Sequence, residues 1–233
     1  MKSAVPSPSR TLARCAIGAA AAGGALYLGH AAAAWIRYGH VKPGEGDPLL
    51  DAALPDYEVA ERHHIRVAAP AEVVFAAGCD LNFEDSRIVR LLFRARELAL
   101  GGTRKPLESK TLLAMLKASG WAVLAEIPGR EIVLGTVTRP WEANVRFHAL
   151  PPEQFQAFHE PGWAKIVSMI GAEPVGARES IAKTETRATA TDATAREKFR
   201  LYWSLLSPGI LLIRRIALRM VKKDAERHDR RCG

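Results

Sequence analysis

The chain has 233 residues, 48% hydrophobic and 25% charged, with a net charge of +8. That composition excludes disorder over the whole length and allows one large domain or two small ones. The charge is uneven: residues 1–42 carry +5, residues 193–233 carry +7, and the body between carries −4. Basic ends suit an anionic membrane surface, or simply solubility. An acidic body argues against a nucleic-acid groove in the core, so no nucleic-acid partner is expected. The three cysteines, Cys15, Cys79 and Cys232, form no C-x-x-C pair. They predict neither a disulfide framework nor a zinc site.

Cys15 to Ile36 holds no Asp, Glu, Lys or Arg and is rich in Ala and Gly, with Arg10 and Arg14 before it and Arg37 after it. Three readings stay open for residues 1–37. They are a membrane anchor through 15–36, a cleaved signal with Ala31 to Ala34 as its exit, or an alanine-rich helix with no membrane role. The Lys/Arg bias favours an anchored protein with its domain outside the cytoplasm; a secreted or periplasmic protein and a cytoplasmic one are the alternatives. Residues 38–56, with Pro43, Gly44, Gly46, Pro48 and Pro55, read as a linker. A domain is expected over 57–228.

Tyr57 to Val67 predicts a strand with Val59, Glu61, His63, Ile65 and Val67 on one face. Pro70 opens a short helix, where its missing N–H costs nothing, and Gly78 ends it. Asp85 or Ser86 caps a second helix, with Ile88, Leu91, Leu92, Ala95, Leu98 and Ala99 at helical spacing and Gly101-Gly102 as its stop. A third helix is expected over about 107–118. Strands follow over 121–127 and 130–138, joined by Pro128-Gly129, which fits the centre of a type II turn. Phe155 to Glu160 and Trp163 to Ile170 flank Pro161-Gly162 and read as two more strands, and 179–191 as another. A helix from Ala193 to about Arg227 closes the chain. On it Phe199, Trp203, Leu206, Ile210, Ile213, Ala217 and Met220 make one stripe. The order predicts an α+β fold with an antiparallel sheet.

Three pieces carry a family resemblance: the run Ile65 to Phe75, the strand Thr184 to Thr191, and the helix from Ala193. Over about residues 57–222 the chain resembles the START-like superfamily, or SRPBCC, of polyketide cyclases, lipid-transfer domains and Bet v 1 plant allergens. The resemblance implies the helix-grip fold, a curved sheet wrapped around a long C-terminal helix with a hydrophobic cavity. It implies binding or transport of a hydrophobic small molecule or lipid. The rival readings are a cyclase- or dehydratase-like enzyme on an activated carbonyl compound, and an interaction module with a filled core. No cofactor is implied.

Candidate cavity residues are the aromatics Trp141, Phe158, Trp163, Phe199 and Trp203, with Leu206 and the inward threonines Thr184 and Thr186. Pro208-Gly209 predicts a kink in the last helix rather than a turn between two helices, because the apolar stripe keeps phase across it. Lys183, Glu185 and Arg187 share the other face of their strand and read as solvated. Arg214, Arg215, Arg219, Lys222 and Lys223 are expected to snorkel outward. His63-His64 is a poor metal pair, since adjacent strand residues face opposite ways. Ser180 and Lys183 fit S-x-x-K by chance for the same reason. No catalytic signature and no metal site emerge.

Overall fold

A computed structural model describes residues 8–40, 46–101 and 111–232, except for the side chains of 8–17, 19, 20 and 232. The elements are α1 (Pro8–Arg37), α2 (Pro48–Ala53), β1 (Val59–Val67), α3 (Ala71–Cys79), α4 (Arg87–Leu100) and α5 (Leu112–Ser119). They continue with β2 (Ala122–Ile127), β3 (Glu131–Thr138), β4 (Phe147–His148), α6 (Pro152–Ala157), β5 (Ala164–Gly176), β6 (Glu179–Ala190) and α7 (Ala193–Cys232). The strands form one antiparallel sheet in the order β1-β6-β5-β3-β2, with β4 beside β3. The sheet is curved, and α7 lies across it. This is the helix-grip arrangement.

Local chemistry explains most element ends. Ser86 Oγ accepts from Val89 N at 3.3 Å and starts α4, and Gly101 ends it in a left-handed conformation. Gly129 and Gly162 have φ of 72° and 87°, the positive values a type II turn requires after proline. One expected strand is corrected: residues 155–160 lie largely in and beyond α6. Pro152 occupies a first-turn position there, so the run Pro151-Pro152 starts a helix. Helix α7 passes through Pro208 without ending. It is one helix, with the Ser204 carbonyl deprived of the proline's missing N–H. The third helix is α5, beginning at Leu112; residues 107–110 of its expected range lie outside the described residues.

The N-terminal helix bears on the open readings of residues 1–37. Among the described residues no helix is long and apolar enough to cross a membrane. The expected span over 15–36 runs partly into side chains outside that description. Its described part is built mainly of alanine and glycine, which contribute little apolar area. That part docks on α7 instead. The Tyr27 hydroxyl donates to the Leu205 carbonyl, and His30 Nε2 lies 3.4 Å from Ser207 Oγ. Arg200 donates to the Trp35 carbonyl and stacks 4.2 Å over the Trp35 ring.

Both faces of the sheet are covered, by different means. On the outer face α2 and α6 pack Leu50, Leu54 and Phe155 against Val133, Val137, Val167 and Met169. The stretch read as a linker therefore supplies α2 to this layer. Asp47 caps α2, accepting from Leu49 and Leu50 N, each at 3.2 Å. The predicted solvation of β6's outer residues is overturned by the same layer. Glu185 and Arg187 are each only 1% exposed. Arg187 pairs with Glu185 at 2.8 Å and Asp51 at 2.6 Å, and Glu185 also takes Arg62. Lys183 sits between Asp47 at 3.1 Å and Glu131 at 2.9 Å. Ion pairs this deep persist only because each charge has a partner.

Candidate functional site

The inner face of the sheet is set by strand alternation and register. Glu61, His63 and Ile65 on β1 lie opposite Thr186, Thr184 and Ala182 on β6, and those lie opposite Ser168, Ile170 and Ala172 on β5. Helix α7 crosses above them. At one end of the crossing Phe199 and Trp203 are buried with Tyr38, Val59, Ala164 and Ala188. At the other end Leu218, Val221 and Ala225 are buried with Val67, Ala69, Val74 and Ala182. Between these two clusters lies a half-buried band, of which Ile166 and Ile210 pack against the first cluster and Ala217 against the second. His63, Ile166, Ser168, Ile170 and Thr184 on the sheet are only half-buried, as are Ile210, Ile213, Arg214 and Ala217 on the helix. Residues directly behind them on the outer face, Val167 and Met169, are 0% and 2% exposed. The inner face is thus less tightly covered midway along the crossing than at its two ends.

Polar groups converge in that half-buried band. Arg214 donates from Nη1 to Thr184 Oγ1 at 3.3 Å and from Nη2 to Thr186 Oγ1. The threonines spend their own protons elsewhere: Thr184 donates to the Met169 carbonyl at 2.8 Å, and Thr186 to Ser168 Oγ at 3.0 Å. Their lone pairs therefore face the guanidinium. Arg214 Nε is shielded from solvent and has no partner. Burial pulls Arg214 down to about 10, with Glu61 and Glu185 acting against that shift. At neutral pH it stays charged. His63 Nε2 also lacks a hydrogen-bond partner and lies 3.8 Å from Glu61 Oε2. Burial, and then the fields of Arg214 and Arg215, lowers the His63 pKa and favours the neutral ring. Burial raises Glu61, opposed by Arg214, Arg37 and Arg215.

The sequence candidates fall into three groups. Thr184 and Thr186 lie on the inner face and hold Arg214. Phe199, Trp203 and Trp141 form the aromatic plug at one end: Phe199 meets Trp141 edge-on at 6.5 Å and Trp203 at 6.2 Å. Leu206 is half-buried on α7. Phe158 and Trp163 pack on the outer face instead, with their rings 6.2 Å apart. Arg214 was expected to snorkel outward and does not; Arg215, Arg219 and Lys223 do. The available signal was its position, four residues after Ile210 and three before Ala217 on the apolar stripe. Cys79 is buried and free, its thiol pushed up to about 11 by that burial. Among the described residues no cluster of His, Cys, Asp or Glu is able to hold a metal ion.

A separate cleft of about 380 Å³ opens near β4. Arg139, Glu142, Asn144, Arg146, His148 and Trp163 line it. Arg139 stacks 4.0 Å over Trp163 and pairs with Glu142 at 3.6 Å. None of the residues around Arg214 belongs to it.

The architecture defined by this order and pairing is a helix-grip fold. No protein-family model matches the chain, and no curated protein matches it. Among solved structures it is similar to a conserved protein of Geobacillus kaustophilus, at 11% identity and a TM-score of 0.32, over 72% of this chain and 96% of that one. An aromatase/cyclase from a Streptomyces species aligns at 14% identity and a TM-score of 0.29, over 75% and 98%. Norcoclaurine synthase of Thalictrum flavum, solved with dopamine and hydroxybenzaldehyde, aligns at 13% and 0.27, over 76% and 92%. Likenesses this slight carry no function across; the fold assignment rests on the chain's own strand pairing.

Proposed function

We propose that the hollow between α7 and the inner face of the sheet binds a hydrophobic small molecule or lipid. The half-buried band at the middle of an interface buried at both ends carries this reading. Ile65, Ile166, Ile170, Ile210 and Ile213 give it apolar walls. Transfer of apolar area from water at about 25 cal/mol per Å² drives uptake. The Arg214–Thr184–Thr186 group orients the guest.

Titration of the full chain with Nile red tests the proposal. Saturable uptake with a blue-shifted emission is expected, and Thr184→Trp, which fills the space, should abolish it while the far-ultraviolet circular dichroism stays unchanged. A wild-type chain that takes up no dye overturns the container.

One observation favours a second reading. His63 and Glu61 line the same hollow beside a cation, as an acid–base site on a carbonyl compound would require. Catalysis predicts turnover of an added β-ketothioester that His63→Ala and Glu61→Gln both abolish with dye uptake intact. Carriage predicts no turnover by any of the three chains.

A further inference from the structure

Three features of Arg214 bear on what the hollow holds. Its direct partners are neutral hydroxyls: among the described residues Arg214 makes no ion pair. On the outer face Lys183, Glu185 and Arg187 are each in contact with a counter-charge, and the buried Lys165 there is satisfied by the Gln156 carbonyl at 2.9 Å. Its Nε, the edge of the guanidinium left over after both threonines are served, is shielded from solvent and unpartnered. An unsatisfied guanidinium N–H is a donor that a carboxylate oxygen accepts. The same inner band carries Ile166, Ile170, Ile210 and Ile213 beside the polar Glu61, His63 and Ser168.

We infer that the guest is an amphiphile whose carboxylate head is received by Arg214, with its apolar body along the isoleucines. This rests on the container reading above. Glu61 faces the same space and repels an anion when ionised; burial disfavours its charged form, the field of Arg214 acts against that shift, and no ion pair joins the two among the described residues. Glu185 lies behind the sheet and is already taken by Arg62 and Arg187. The two threonines fix the plane of the guanidinium, so the acid head meets a preset edge rather than a mobile side chain.

The test compares two probes on the full chain: a pyrene-labelled long-chain carboxylic acid and the matching primary alcohol. The wild type should bind the acid at least tenfold more tightly. Arg214→Met should bring the acid down to the affinity of the alcohol and leave the alcohol unchanged. Thr184→Val with Thr186→Val, which frees the guanidinium plane, should lose part of the preference. Equal binding of both probes by the wild type overturns the carboxylate assignment and leaves the container standing. Binding of neither probe overturns both. Displacement of the acid by millimolar inorganic phosphate, without effect on the alcohol, would make Arg214 a site for a small free anion and also overturn the inference.

Discussion

The two faces of one sheet solve the same problem in opposite ways. Strand β6 sends Lys183, Glu185 and Arg187 outward and Thr184 and Thr186 inward. The outward charges are sealed under α2 with counter-charges within about 3 Å. The inward hydroxyls hold a guanidinium that makes no direct ion pair among the described residues, in the field of Glu61 and Glu185. The contrast separates structure from function. The paired outer network holds the molecule together, whereas the inner guanidinium, with its Nε unsatisfied, is the group the proposed guest would engage.

Four changes break or sharpen that contrast. Glu185→Gln leaves Arg62 and Arg187 against a neutral amide in a buried layer, and should cost about 4 kcal/mol of unfolding free energy in a urea melt. A loss under about 1 kcal/mol would mean that the outer network behaves as a solvated one. Next come a pair of truncations. Met169→Ala, on the packed outer face, should cost about 3 kcal/mol, and Ile166→Ala, on the half-open inner face, only about 1 kcal/mol. Equal losses would show that the inner face is as full as the outer.

Arg214→Met comes third. Removing a buried charge that has no ionic partner should move stability by no more than about 1 kcal/mol in either direction. A drop as large as that of Glu185→Gln would make Arg214 a structural strut. The smallest effect concerns the ends of α7. Asp192 accepts from Ala195 N at 3.0 Å and from Gly162 N, and Glu226 accepts from Ala68 N at 3.1 Å. Those backbone donors hold both carboxyls below their ordinary values. A depressed folded-state value gives stability that is present above the unfolded value, near pH 4, and is lost as pH falls through the folded one. Asp192→Asn with Glu226→Gln should therefore flatten the fall of melting temperature below pH 4 and leave the trend above pH 6 unaltered.

Much of the framework was legible. Alternation along β6 placed Thr184 and Thr186 inward and Glu185 and Arg187 outward. The proline–glycine pairs marked two turns, both at positive φ. The stripe on α7 kept phase through Pro208, as the continuous helix does. What failed was the environment beyond each strand face. Glu185 and Arg187 look solvated until α2, over a hundred residues earlier in the chain, is laid on them. Phe158 and Trp163 look like cavity lining because size and apolarity do not say which side of a sheet a loop residue joins.

The amino-acid order alone determined the element types, the strand alternation and the apolar line of the last helix, because these follow from backbone periods of two and 3.6 residues. Only the folded molecule decided which face is sealed, that α1 lies on α7, and that Arg214 turns inward to two threonines. Those outcomes depend on contacts between segments 28 to 178 residues apart, and no local period encodes what a distant segment will cover.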